Sequence, residues 1–310
     1  MDNLIIHIGS TKTGSSALQE FLFLNRRKLK DSGVLYPETG VVQNAHHILG
    51  AALHPTAYTM HLGDLSEDIN SRRDAFLGMA ASVREEAKNS GCQTVVLSTE
   101  YLWGVFDDIF YRIWRQEFQS QKTILYASVR RPDYWLQSSY LQALKSGEAR
   151  SFKDWLAEFS SDPLSGTSYI DVIDRWFFGV GAEKGVVRTY EWLLQNDAVF
   201  TDILSVCDAS DLRTTLIQPD RTVNPSPGPD AADILLKINQ SNMCERDKSQ
   251  LRSLVLSKME IRKIGSELSF LSPEMRRNIL EGYIEGNQKL AHTYCKEIGV
   301  PLFKEPWPEI

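Results

Sequence analysis

The stretch His7–Ser16, HIGSTKTGSS, decides the fold. The apolar residues just before it predict a buried strand over residues 3–8 that ends at Gly9. Apolar residues at helical spacing then predict a helix over residues 15–30, with basic residues in its last turns. A glycine-containing loop between a strand and a helix directs backbone N–H groups and the positive end of the helix dipole toward one point. The stretch therefore predicts an anion-binding loop.

Further along the chain, compact apolar runs predict strands over residues 34–37, 94–98, 123–129 and 186–188. Helices are predicted over 71–89, after Pro132, and near 230–241, 246–265 and 273–297. Strands that alternate with amphipathic helices predict an α/β fold, with a parallel sheet flanked by helices. We expect a single domain over residues 1–310, with a helical C-terminal part over about residues 228–310.

Composition excludes several classes of protein. The 310 residues carry 34 basic and 40 acidic side chains, a net charge of −6, which disfavours a nucleic-acid partner. No apolar run reaches the roughly 18 to 20 residues that span a bilayer, and the N-terminus lacks the basic region of a signal peptide. We therefore expect a cytoplasmic protein without a transmembrane segment. The four cysteines are scattered and include no CxxC pair, and we expect no metal site.

The loop differs from the nucleotide-binding Walker A pattern, in which lysine directly follows the second glycine. Here Ser15 follows Gly14, and Lys12 lies in the middle of the loop. No acidic residue is placed to hold the magnesium that an ATP or GTP site requires. Ser15 or Ser16 can cap the following helix and donate a hydroxyl to a phosphate.

The loop resembles the 5′-phosphosulfate loop of sulfotransferases that use 3′-phosphoadenosine 5′-phosphosulfate (PAPS), above all the bacterial-type members. Leu18 and Gln19 extend the match. The resemblance implies a P-loop NTPase-like sulfotransferase fold. It also implies that Lys12 contacts the 5′-phosphate and the oxygen bridging to sulfur, and that Thr13, Gly14, Ser15 and Ser16 cradle that phosphate. PAPS would be the donor, 3′-phosphoadenosine 5′-phosphate (PAP) the product, and no metal would take part.

A second motif meets a requirement of this resemblance, because PAPS also carries a 3′-phosphate. The family binds it with an R-x-P sequence at a strand end and a serine eight residues after the arginine. Arg130, Pro132 and Ser138 fit that pattern. The planar fork of an arginine suits phosphate oxygens, and Pro132 suits a first helical turn. Arg131 is predicted to lie on the surface. In the proline-containing loop at 218–229, Arg221 and Asn224 are weaker cofactor candidates.

The base that takes the acceptor proton has several candidates. His46 and His47 follow the second predicted strand, and Glu100 follows the strand over 94–98, so all three are expected at the same edge of a parallel sheet. Imidazole suits base chemistry near neutral pH. The spacing from His46 to Leu49 is similar to an HxxL pattern of bacterial-type members, which favours His46, while Glu100 remains an alternative or an orienting group. His7 is predicted to support the core or loop, and the other histidines (His54, His61 and His292) to lie on the surface.

These observations predict a PAPS-dependent sulfotransferase whose acceptor is a hydroxyl, favoured on a carbohydrate or glycolipid, with a small alcohol or phenol as the alternative. Lys12, His46 and Glu100 are the predicted catalytic residues. Two other functions remain open: a P-loop kinase or nucleotide hydrolase, and a non-catalytic protein that binds a bisphosphate nucleotide. The sequence predicts no oligomeric state.

Overall fold

The computed structural model describes residues 1–52, 54, 68–105, 108–159, 168–219, 229–258 and 270–309. By the density of contacts the chain divides into two compact units. Unit 1 comprises residues 1–130, 168–221 and 286–304, and unit 2 comprises residues 131–167, 222–285 and 305–310.

All strands of the described residues form one parallel sheet in unit 1. They are β1 (Asn3–His7), β2 (Val34–Leu35), β3 (Thr94–Ser98), β4 (Lys122–Val129) and β5 (Lys184–Thr189). Their order across the sheet is β2-β3-β1-β4-β5, and every neighbouring pair is parallel. The predicted α/β class and parallel sheet are therefore confirmed.

The helices of unit 1 are α1 (Ser15–Leu24), α2 (Arg26–Asp31), α3 (His47–Ala52), α4 (Ile69–Ser90), α5 (Asp108–Glu117), α8 (Tyr169–Val180), α9 (Tyr190–Gln195) and α10 (Asp202–Val206). Short 3-10 helices cover Glu100–Gly104 and Ser210–Thr214. Unit 2 contains α6 (Pro132–Lys145), α7 (Phe152–Phe159), α11 (Pro229–Gln240), α12 (Glu245–Lys258) and α13 (Pro273–Gly282). The last helix, α14 (Ile284–Thr293), lies mostly in unit 1.

Unit 1 has a hydrophobic core on each face of the sheet, because successive side chains along a strand point to opposite faces. In β1, Leu4 and Ile6 contribute to the core beneath α3, α4, α5 and α8, whereas Ile5 contributes to the opposite core beneath α1, α2 and α10. Successive strand side chains point to opposite faces, so a strand with apolar residues on both must be covered on both. Unit 2 has its own core between its helices, which includes Tyr140, Leu144 and Leu235.

Two predicted helices are wrong in their extent. The helix expected over 15–30 is broken at Asn25, whose side-chain amide donates to the carbonyl of Phe21 and thereby competes with the helical backbone. The helix expected over 273–297 is broken at Tyr283 and ends at Thr293. The predicted helix over 246–265 is observed to Lys258, and its remainder lies outside the described residues.

An aromatic cluster fixes α8 against its neighbours in unit 1. The ring centroid of Trp176 lies 5.4 Å from that of Phe110 and 5.8 Å from that of Trp114. Its indole Nε1 donates to the carbonyl of Leu102 at 2.9 Å. Such pairs add to the free energy gained from burial of the rings themselves.

We predict that Trp176→Ala lowers the free energy of unfolding by about 3–5 kcal/mol, because it opens a cavity and removes a buried hydrogen bond to the carbonyl of Leu102. Phe178→Ala is the matched control on the same helix, since Phe178 is 69% exposed, and its cost should stay below about 0.5 kcal/mol. Urea denaturation measures both. Equal losses for the two variants would contradict the assigned packing of α8.

Candidate functional site

The loop from β1 to α1 has a backbone path that glycine permits. Lys12 and Gly14 both have positive φ, 64° and 82°. A Cβ on Gly14 would lie 2.9 Å from the ring of Tyr190, so a larger residue would meet both backbone strain and a clash. Gly14 occupies the cap position of α1 and offers no side chain there. The side chain of that residue therefore accepts no hydrogen bond from the first N–H groups of the helix. Helix N-termini with such N–H groups bind anions.

Side chains within the loop hold this path. The hydroxyl of Thr13 donates to the carbonyl of Ser10 at 2.5 Å, and the hydroxyl of Ser15 donates to the same carbonyl at 3.2 Å. Thr13 and Ser15 are buried, whereas Ser16 is exposed. The N–H of Ser10 also donates to the carbonyl of Ser128 on β4. The predicted cradle residues thus lie together around one helix N-terminus.

Arg130 joins this loop from the end of β4. Its Nη1 donates to the carbonyl of Lys12 at 3.1 Å, and its guanidinium carbon lies 5.3 Å from the ring centroid of Tyr190. Its Nε lies 3.9 Å from a carboxylate oxygen of Glu191. This Nε is buried and has no hydrogen-bond partner among the described residues. The two motifs that the sequence predicts to bind phosphate are therefore in direct contact.

The sheet order explains where they meet. From β1 the chain runs to β2 and β3 on one side, and then crosses to β4 and β5 on the other. The loops after β1 and β4 thus leave neighbouring strands in opposite directions, and ligands of parallel α/β sheets bind at the carboxyl end of the strands at such a point. Lys12 and Arg130 lie in these two loops.

The other part of the second motif belongs to unit 2. Ser138 lies on α6 with its side chain buried. The surface position predicted for Arg131 is wrong. Arg131 is buried and donates from Nε and Nη2 to the carboxylate of Asp133, at 2.8 Å each. Burial alone would lower the pKa of Arg131, but the hydrogen bonds and the charge of Asp133 raise it above its ordinary value. Arg221 and Asn224 lie outside the described residues.

His46 is fully buried and both of its ring nitrogens are engaged. The N–H of Ser98 donates to Nδ1 at 3.1 Å, so Nδ1 is the acceptor and the ring proton resides on Nε2. Nε2 then donates to the carbonyl of Pro37 at 3.1 Å. Burial lowers the pKa of His46 to about 4. In this arrangement His46 has no lone pair to offer a substrate, and it fastens the loop after β2 to the end of β3.

His47 and Glu100 lie side by side at the carboxyl end of β3. Nε2 of His47 is 3.9 Å from Oε1 of Glu100, and Nδ1 of His47 shares a 2.8 Å hydrogen bond with the hydroxyl of Thr99. The imidazole stacks on Tyr101 with 4.2 Å between ring centroids. The other oxygen of Glu100, Oε2, accepts from Nε2 of Gln19 at 2.8 Å. Gln19 lies on α1, so Glu100 contacts the helix that begins at the anion loop.

Two further histidines are buried. His7 supports the end of β1, as predicted: its Nδ1 shares a 2.7 Å hydrogen bond with the hydroxyl of Ser98, and burial lowers its pKa to about 3. The surface position predicted for His54 is wrong, because its ring packs against Gly104 and the side chain is buried. His292 is exposed as predicted, and His61 lies outside the described residues.

Sequence reasoning gave no role to three residues at this site. They are Gln19, which appears there only as an extension of the loop match, and the pair Tyr190-Glu191. The spacing of four residues between Ser15 and Gln19, one helical turn, was the available signal that both side chains share a face of α1.

Within the described ranges, no group of three or more His, Cys, Asp or Glu side chains is arranged to hold a metal ion. In the same ranges, no helix combines the length and apolar character needed to cross a bilayer.

No family model matches the chain, and no curated protein matches its sequence. Among solved structures, the chain is similar to a sulfotransferase from Alicyclobacillus acidocaldarius, at 15% identity and a TM-score of 0.45, over 83% of this chain and 96% of that one. It is also similar to a structure from the PezAT chromosomal toxin–antitoxin system of Streptococcus pneumoniae, at 14% identity and a TM-score of 0.31, over 83% and 86%. Likenesses this distant assign no function, and the fold class rests on the sheet order and register.

We predict that unfolding becomes easier as the pH falls from 6.5 toward 5. The folded-state pKa values of His7 and His46, about 3 and about 4, lie below the 6.5 of an unfolded chain. Below pH 6.5 the unfolded state therefore binds protons that the folded state does not. Each histidine lowers the free energy of unfolding by up to about 1.4 kcal/mol per pH unit.

Denaturation at a series of pH values checks this. His46→Gln should reduce the slope by about one bound proton. Tyr36→Phe is the matched control, because Tyr36 packs edge-on against His46 with 4.5 Å between ring centroids, and the variant keeps the imidazole. If His46→Gln leaves the dependence of the unfolding free energy on pH unchanged, His46 has the same pKa in the folded and the unfolded chain.

Proposed function

We propose that the chain is a sulfotransferase that binds PAPS and transfers its sulfuryl group to an acceptor hydroxyl. One observation carries this proposal: Nη1 of Arg130 donates to the carbonyl of Lys12. The contact joins two cationic loops at the switch point of the sheet, as a ligand with two separate anionic groups requires. Lys12 in mid-loop departs from a Walker A sequence, which has its lysine after the second glycine, and resembles the phosphosulfate loop of PAPS-dependent sulfotransferases.

The residues present fit such a donor. Gly14 offers no capping side chain at the start of α1, so the first N–H groups of the helix can bind a phosphate there. We assign the 5′-phosphosulfate to this position, with Lys12 beside it and the N–H groups of Thr13–Ser16 around it. We assign the 3′-phosphate to Arg130, whose buried Nε has no hydrogen-bond partner among the described residues. Ser138 stays a candidate second donor on the sequence motif alone.

Glu100 is the base that the geometry favours over His46. Its carboxylate lies at the end of β3 beside α1, and it accepts protons through oxygen lone pairs, whereas both nitrogens of His46 are engaged. His47, 3.9 Å from Oε1 of Glu100, is placed to orient the carboxylate or to share its proton.

When bound, PAPS would supply an activated sulfuryl group, and the departing PAP would take both electrons of the sulfur–oxygen bond that breaks. Glu100 takes the hydroxyl proton while the acceptor oxygen bonds to sulfur. Lys12 and the first N–H groups of α1 stabilise the negative charge that grows on the 5′-phosphate oxygen as its bond to sulfur breaks. The proton goes to Glu100 and the bonding electrons go to PAP, so the transfer needs no further reactant.

We propose a carbohydrate hydroxyl, free or on a glycolipid, as the acceptor. The test is transfer of ³⁵S from labelled PAPS to a panel that contains methyl glycosides of glucose, galactose and N-acetylglucosamine, a glycolipid, and 4-nitrophenol. Labelled sugar product supports the proposal. Label on 4-nitrophenol alone would identify the acceptor as a phenol. If no member of the panel acquires label, the proposed activity is contradicted.

PAP should raise the melting temperature without added metal, and ADP, which lacks the 3′-phosphate, should raise it much less. At about a hundred times its dissociation constant, PAP adds about 2.7 kcal/mol to the free energy of unfolding. Arg130→Ala should remove the preference for PAP over ADP, because a hydrogen bond to a charged group contributes roughly 1.5–3 kcal/mol.

The matched control for this thermal-shift measurement is Arg84→Ala, which removes the same charge from an exposed position on α4. It should preserve the preference for PAP. Full discrimination against ADP by Arg130→Ala, or stabilisation only by ATP with magnesium, would contradict the assignment of the 3′-phosphate.

Glu100→Gln should lower turnover by about 10² to 10⁴-fold and leave the dissociation constant of PAP nearly unchanged, because a base acts in the transition state. His46→Gln should cost less than about tenfold in turnover. Steady-state kinetics with the best acceptor of the panel, together with calorimetric titration of PAP, measure both effects. A full loss of turnover in His47→Gln, with Glu100→Gln still active, would transfer the role to His47.

A further inference from the structure

Gln19 is buried on α1 and its side chain is directed at Glu100. Its Nε2 donates to Oε2 of Glu100 at 2.8 Å, and only 1% of the residue is exposed. A carboxylate accepts hydrogen bonds and a side-chain amide donates only from its nitrogen, so this contact fixes the orientation of the amide. The contact joins residues that are 81 positions apart in the chain.

The hydrogen bond makes the two oxygens of Glu100 unequal. Oε2 is occupied by Gln19, whereas Oε1 is the oxygen that faces His47, at 3.9 Å. A donor on Oε2 fixes the rotation of the carboxylate. Oε1 is thereby left as the oxygen that receives a proton.

The same helix carries the anion loop and this amide. Ser15 opens α1, and Gln19 follows one turn later on the same face. The hydroxyl of Ser15 donates into the loop, to the carbonyl of Ser10. A rigid turn of helix thus sets the distance from the loop to the carboxylate of Glu100.

We infer that Gln19 is a positioning residue: through its hydrogen bond to Oε2 it holds Glu100 in the orientation that presents Oε1 to the acceptor hydroxyl, in register with the anion loop. The inference rests on the proposed function. It adds that sulfuryl transfer depends on a neutral amide that contacts neither the donor nor the acceptor.

The test is a double-mutant cycle on the full chain. Gln19→Met keeps the length of the side chain and removes the donor. It should lower kcat about tenfold or more, while the KM for the acceptor and the dissociation constant of PAP change less than about threefold. In the Glu100→Gln background, the same substitution should change kcat less than about twofold, because the group through which it acts is gone.

Two further variants separate positioning from general destabilisation. Gln19→Asn keeps an amide that is too short to reach Oε2, and should behave as Gln19→Met does. Asn25→Leu removes a buried amide from the other end of α1, where it contacts Phe21 and Ile217, and should leave kcat within about twofold at temperatures where the variant is folded.

The outcomes distinguish the inference from the proposed function. Wild-type kcat in Gln19→Met, or an equal loss in the wild-type and Glu100→Gln backgrounds, overturns the role of Gln19 and leaves the sulfotransferase assignment intact. A wild-type chain that transfers no sulfate to any member of the acceptor panel overturns both.

Discussion

The hydrogen bond from the guanidinium of Arg130 to the carbonyl of Lys12 is the interaction on which the candidate site depends. Lys12 has the positive φ that lets its loop turn toward the start of α1, and Arg130 holds the carbonyl at that turn. The ring of Tyr190 lies against both Gly14 and Arg130, so it packs beneath the loop and the arginine together. One cationic side chain thereby both shapes the loop and adds positive charge beside it.

The sheet creates this contact. Parallel pairing of β1 with β3 and β4 brings the carboxyl ends of three strands to one edge, and the loops that follow them carry Lys12, Glu100 and Arg130. The order β2-β3-β1-β4-β5 places the switch point, where the connections turn to opposite sides of the sheet, between β1 and β4. An anion-binding loop and a second cation therefore meet because of topology, although 118 positions separate them in the sequence.

The local parts of this arrangement were predictable and the long-range ones were not. Glycines flanking Lys12 between an apolar run and a helical pattern predicted the loop, since backbone strain and the helix dipole are local properties. The spacing from His46 to Leu49 favoured His46 as the base. It gave no sign that the N–H of Ser98 occupies Nδ1, because that donor comes from a different strand. Arg131 and Asp133 likewise pair within a buried cluster that a polar sequence pattern assigns to the surface.

The central claim is that the loops carrying Lys12 and Arg130 bind the two phosphates of one nucleotide. A crystal structure of the full chain with PAP tests it most directly. We expect the 5′-phosphate against the N–H groups of Thr13–Ser16, and the 3′-phosphate within hydrogen-bond distance of Arg130. A nucleotide bound away from the carboxyl end of β1, or one whose 3′-phosphate has no contact with Arg130, would contradict it.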